Sequence, residues 1–157
     1  MECDGCGFLY YHNCAAAVAA IIETNGGIVL LRRAQPPKAG FFDLPGGFVD
    51  YGETLEAAVV REVEEEIGVR LERAVYFRSF PNTYEFHGVT YMTTDAVFIC
   101  PMPKGSAIRP NDEVRQIEIL PPESIDHALI AFDSISKAIR SYTSVLQSPL
   151  KKKVIRH

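Results

Sequence analysis

The segment between Thr54 and Gly68 reads as a helix with two incompatible sides, and that conflict constrains the rest of the chain. Val59, Val60, Val63 and Ile67 gather on one side at helical spacing. Glu62, Glu65 and Glu66 fall within an arc of roughly 100° on another, because residues three and four apart are helix neighbours. Thr54 offers a side-chain oxygen to the first turn, and Gly68 stands where a left-handed stop belongs. The valine side must pack on another layer. The acidic side must meet water or a cation, since like charges at this spacing weaken a helix by about 0.2–0.5 kcal/mol.

The sequence also supplies the other layer. Residues 15–23 are apolar, Asn25-Gly26-Gly27 is a turn signal, and residues 28–31 are apolar again, which predicts a β-hairpin. Residues 34–40 carry Pro36-Pro37 and form a loop. Phe41 to Leu44 is extended, and Gly46-Gly47 breaks the chain before a short strand at Phe48-Val49. Further strands are predicted at residues 69–80, 89–100 and 114–120. Asp133-Ser134 is the expected cap of a last helix over residues 135–146, with Ile135, Ile139, Tyr142 and Leu146 on one side. Strands interleaved with two or three helices predict a layered α/β domain. A length of 157 residues suits one such domain.

The formal net charge of −4 argues against a general nucleic-acid binder, which would carry a basic face. Lys151, Lys152, Lys153 and Arg156 are the exception, and residues 148–157 read as a solvated basic tail. No run of about 18 apolar residues occurs, so no membrane span is expected. Residues 14–22 are apolar, but acidic Glu2 and Asp4 precede them, so they read as a strand and not a signal peptide. A cytoplasmic location is the resulting expectation. Cys3, Cys6, Cys14 and Cys100 are too sparse for a disulfide scaffold.

The acidic face has a chemical use. Oxygen-rich clusters suit the hard ion Mg²⁺, which commonly bridges carboxylates and substrate phosphates. Such an ion lowers the pKa of a bound water, and a neighbouring carboxylate can take the proton. Gly46-Gly47 lets backbone approach closely, and Arg61 lies where it can pair with Glu53. The plain alternative is an acidic helix face that merely meets solvent.

Gly47, five residues, Glu53, seven residues, then Arg61-Glu62-Val63-Glu64-Glu65-Glu66-Ile67-Gly68-Val69 resembles the Nudix box at all nine defined positions of its 23-residue span. Leu44-Pro45-Gly46-Gly47 is similar to the family's approach to that box, and the looser likeness runs over residues 15–146. The resemblance implies an α/β/α sandwich with a mixed sheet that hydrolyses nucleoside diphosphates linked to another group. It implies Mg²⁺ (or Mn²⁺) held by Glu62, Glu65, Glu66 and a backbone carbonyl of Gly47 or Gly46. Glu53 becomes the orienting acid, with Arg61 as its partner. A box glutamate or Glu113, on the later loop Asn111-Asp112-Glu113, becomes the general base.

Residues 1–13 form a separate arm ahead of a domain over residues 14–147. Cys3-Asp-Gly-Cys6-Gly7 resembles the second half of the zinc ribbon that NADH pyrophosphatase-like members carry. A closed zinc site needs four ligands, and the first pair is missing, so free thiols are expected and zinc at Cys3 and Cys6 is not. The NADH-cleaving branch is also marked by a Gln-Pro-Trp-Pro-Phe-Pro run. This chain has Ser79-Phe80-Pro81-Asn82-Thr83-Tyr84 there and no tryptophan, which turns the expectation toward ADP-ribose. NADH, nucleotide sugars, dinucleoside polyphosphates and nucleoside triphosphates follow. Phe80, Tyr84, Phe86 and His87 are candidates for stacking a base, and Arg32, Arg33 and Lys38 for binding phosphate. Each set has a plain alternative, as strand residues or a solvated loop. The competing functional reading is a Nudix domain that senses nucleotides without cutting them; relatives also suggest a homodimer.

Overall fold

The computed structural model describes residues 1–86 and 88–148, so His87 and the basic tail beyond Ser148 lie outside it, as does the side chain of Phe86. Its strands are β1 (Ala15–Thr24), β2 (Gly27–Arg33), β3 (Phe42–Asp43), β4 (Gly46–Phe48), β5 (Val75–Phe86), β6 (Val89–Pro101) and β7 (Val114–Leu120). Helix α1 (Leu55–Ile67) precedes β5, and α2 (Asp133–Gln147) ends the described chain. No described helix is long and apolar enough to cross a membrane.

The seven strands form one mixed sheet in the order β3-β2-β1-β6-β5, with β4 added to β1 and β7 to β2. Strands β1 and β6 run parallel and the other pairs antiparallel. Each central strand feeds both faces, because neighbouring side chains on a strand point opposite ways. Val18, Ala20 and Ile22 of β1 join Val59, Val63 and Ile67 of α1 in one core. Ala19 and Ile21 join Ile135, Ile139 and Tyr142 of α2 in the other. A sheet covered on both sides accounts for the unbroken apolar runs in β1 and β2. The result is the α/β/α sandwich expected from the sequence.

The feature that makes a site is a fork. Strands β1 and β2 pair only beside their turn, at Glu23 with Ile28 and Thr24 with Gly27. They then part. Ala17–Ala19 of β1 takes Gly46–Phe48 as its partner, while Leu31 and Arg32 of β2 pair with Asp43 and Phe42. Leu44 and Pro45 span the gap.

Several boundaries differ from those predicted. Gly46-Gly47 does not break the chain before a strand; both glycines are inside β4. The strand expected at residues 69–80 begins at Val75 instead. Gly68 turns the chain with φ +67°, and Val69 and Leu71 are then spent plugging the α1-side core. Helix α2 starts without a side-chain cap, its N-cap being Phe132. Ser134 does not cap it because its hydroxyl donates to Asp95 of the sheet at 2.6 Å. Leu146, expected on the packed side, is 39% exposed.

Candidate active site

A cavity of about 410 Å³ opens at the fork, within the range of ordinary small-molecule sites. The caps read from the sequence set the position of α1. Thr54 Oγ1 accepts from the Ala57 amide at 3.2 Å, and the Gly68 amide donates to the Glu64 carbonyl. With Val59, Val63 and Ile67 fully buried, the acidic side that flanks them turns to the fork. Glu62, Glu65 and Glu66 line the cavity together with Gly46 and Gly47 of β4, and Glu113 reaches it from the loop before β7. The Glu62 carboxylate lies hard against Gly47: a Cβ there would sit 2.5 Å from its carboxyl carbon.

Arg61 organises the acids. Its Nε and Nη2 grip Glu53, Nη1 donates to Glu62 Oε1 at 2.9 Å and Glu65 Oε2 at 3.1 Å, and Nη2 also donates to the Phe48 carbonyl. The hydrogen bonds from Arg61 hold the Glu53 carboxyl below its usual range. Burial raises Glu62, with Arg61 opposing. Burial pushes Glu66 up to about 8. The Gly46 amide, donating to Glu66 Oε2 at 2.9 Å, works against that, and the charges of Asp43, Glu62 and Glu113 add to it.

This donor set fits a hard divalent cation. It offers oxygen ligands, the carboxylates and the β4 backbone carbonyls, in a partly buried space where a carboxyl gives up its proton reluctantly without a positive charge nearby. Gly47 leaves room that a side chain would fill. As arranged, the Arg61 guanidinium supplies the compensating charge to Glu62 and Glu65. Among the described residues no three acidic, histidine or cysteine side chains converge closely enough to hold an ion.

The far end of the cavity has a different chemistry. Phe48, Tyr84 and Phe132 wall it, with Tyr84 5.5 Å from the Phe48 ring and 5.6 Å from that of Phe132. Arg33 lines it too, its guanidinium 5.2 Å over Phe132, Nη1 on Asp43 Oδ2 at 2.9 Å and Nε on the Pro37 carbonyl. Asp43 is buried, which pushes it up to about 6 despite Arg33. Beneath, buried Asp95 accepts from Thr93 Oγ1 and Ser134 Oγ, both at 2.6 Å.

Three expected substrate residues, Arg32, Lys38 and Phe80, are elsewhere. Arg32 bonds to the Gly40 carbonyl and Glu118 and stacks 4.2 Å over Phe42, outside the cavity lining. Neighbouring side chains on a strand point opposite ways, so Arg32 and Arg33 go to different places. Lys38 likewise leans on Phe41. Phe80 packs against the α2-side core. Conversely, Asp43, Asn82, Asp95 and Phe132 line the cavity without having been singled out. Asp95, an acid inside an apolar strand, was the one readable signal among them.

In the arm, the Cys6 and Gly7 amides both donate to the Cys3 carbonyl, making a tight turn with both thiols exposed. The Gly5 amide and then the Cys6 thiol lower the pKa of Cys3.

The NUDIX domain family profile matches residues 12–140. The chain therefore belongs to the Nudix family. It is 57% identical over 42 residues to an ADP-ribose pyrophosphatase of Methanocaldococcus jannaschii, covering 27% of this chain and 25% of that protein. It is 36% identical over 83 residues to the NAD-capped RNA hydrolase NudC of Vibrio vulnificus, covering 52% of this chain and 31% of that one. The chain thus matches less than a third of the length of either relative. A Nudix hydrolase of Nitrosomonas europaea superposes with a TM-score of 0.70 at 24% identity, over 91% of this chain and 77% of the other, a likeness of fold.

Proposed function

We propose that this chain is a pyrophosphohydrolase that cuts the diphosphate linkage of a nucleoside diphosphate derivative, with ADP-ribose the favoured substrate. The observation that carries this reading is that the acidic side of α1 and an aromatic wall share one cavity. The name of the Methanocaldococcus relative supports the choice of ADP-ribose.

Glu62, Glu65 and Glu66, with a backbone carbonyl of Gly47 or Gly46, would hold Mg²⁺ or Mn²⁺. Such an ion neutralises phosphate charge and acidifies a bound water. Arg61 keeps Glu62 and Glu65 on the cavity side and locks Glu53 beneath the turn. Glu113 faces the same space and takes a proton from the attacking water as general base. Arg33 meets the diphosphate from the opposite wall, and Tyr84 with Phe48 and Phe132 receives the base. Water attacks one phosphorus, the bridging P–O bond breaks, and two phosphorylated products leave.

A panel of ADP-ribose, NADH, a nucleotide sugar, a dinucleoside polyphosphate, a nucleoside triphosphate and NAD-capped RNA tests the reading. Each is incubated with Mg²⁺, with and without a chelator. Hydrolysis of ADP-ribose that the chelator abolishes is the expected result. Tight binding of ADP-ribose with no turnover of any member would replace it with a sensing domain.

A further inference from the structure

We infer that Asn82 reads the base of the substrate and selects adenine through its N6 and N7 edge. The inference rests on the reading above, that the cavity takes a nucleoside diphosphate. Asn82 and Tyr84 are two apart on β5 and therefore share a face. Their cross-strand partners on β6 are Thr93 and Tyr91. Asn82 is half-buried in the cavity wall beside Tyr84 and Phe132.

Its polar neighbours already have partners. Asp95 is taken up by Thr93 and Ser134, and Asp43 by Arg33 and the Leu44 amide. Among the described residues the Asn82 carboxamide has no hydrogen-bond partner. It is also the one carboxamide in the described lining. The Asn82 carboxamide is not among the buried unpartnered atoms, so water can serve it in the free protein, and a ligand that matches both its donor and its acceptor can take the place of that water.

A carboxamide presents one acceptor beside one donor. Adenine presents the complement, with N6–H donating and N7 accepting. A base lying against the Tyr84 or Phe132 ring brings that edge to Asn82. Hypoxanthine carries an oxygen in place of the amino group, so one of the two bonds is lost and oxygen faces oxygen. The carboxylates nearby accept only and cannot match N7.

The test compares kcat/KM for ADP-ribose and its hypoxanthine analogue, IDP-ribose, in the wild type, Asn82→Leu and Asn82→Asp. The wild type is expected to favour adenine by roughly tenfold or more. Asn82→Leu should bring the ratio to about one through KM, with kcat within about twofold, and Asn82→Asp should narrow it. A residue that only supports the fold would move both substrates equally. A wild type indifferent to the base, or an Asn82→Leu variant that keeps the preference, overturns the inference. In parallel, binding of AMP and IMP to the metal-free protein is measured by calorimetry. Tighter binding of AMP that disappears in Asn82→Leu supports the assignment even if ADP-ribose is not cleaved, an outcome that sinks the proposed reaction alone. Equal affinities in the wild type sink the role of Asn82.

Discussion

Arg61 grips Glu53 through two parallel hydrogen bonds, Nε to Oε1 at 3.0 Å and Nη2 to Oε2 at 2.9 Å. The fork-to-fork geometry leaves Nη1 free to reach Glu62 and Glu65 at the same time. A lysine has the charge but neither the plane nor the donors for this. Arg61→Lys is expected to lower turnover by about ten- to a hundredfold, the range typical of losing a residue that orients metal ligands. The melting temperature should shift by only a few degrees. Full activity in Arg61→Lys would show that the guanidinium does not position the acids.

The carboxylates themselves are tested by near-isosteric amides. Glu65→Gln and Glu66→Gln should each reduce turnover at least about a hundredfold, the scale of losing a metal-assisted or acid–base step. Glu65 projects from the surface of α1, and Glu66 still has the Gly46 amide to bond, so neither change should unfold the chain. Circular dichroism alongside kinetics separates the two effects. Two variants with wild-type rates would leave the proposed metal site without support.

The half of the cavity built on α1 was legible because its information is local. Thr54, the valine spacing, the three glutamates and Gly68 are all within one short segment, and periodicity places them on a helix before any tertiary contact is known. The opposite half was not. Asn82 and Asp95 meet through the antiparallel pairing of β5 with β6, but they reach the α1 half only because β1 pairs in parallel with β6, and Phe132 joins them because α2 begins against the same face. Parallel pairing joins residues about eighty positions apart, which no local pattern encodes. Arg32 and Arg33 show the limit most clearly. Both are cations on one strand, where neighbouring side chains point opposite ways, and only the tertiary packing decides that the face of Arg33 borders the cavity and that of Arg32 does not. The late start of β5 has a similar cause, since Val69 and Leu71 look like strand residues but are recruited by the core.

Asp43 gives the fold a pH dependence of definite sign. Burial raises its carboxyl to about 6, above the ordinary value of 3.8. The folded state therefore binds the proton more tightly than the unfolded chain. The stabilisation is fully present below about 3.8 and is lost as pH rises through about 6. Denaturant unfolding of the wild type and Asp43→Asn at pH 4.5 and 7.5 isolates the effect. Stability of the wild type relative to the variant should fall from the lower pH to the higher. A relative stability that rises over this interval would mean that the Arg33 ion pair outweighs burial.

Gly47 and Glu62 make the sharpest demand on side-chain size. A methyl group at Gly47 would lie 2.5 Å from the Glu62 carboxyl carbon and one of its oxygens, far inside van der Waals contact. The glutamate, not the strand, is the part that can give way, because a side chain swings more cheaply than paired backbone. Gly47→Ala should therefore fold, with β4 still paired to β1, but with Glu62 displaced from the cavity. Turnover is expected to fall by at least about tenfold, and the Mg²⁺ concentration for half-maximal activity to rise by a similar factor, since the loss acts through one proposed ligand. Glu62→Gln combined with Gly47→Ala should then cost little more than either alone, because both remove the same carboxylate from the same place. Losses that multiply in the double variant would assign Gly47 a role separate from making room for Glu62.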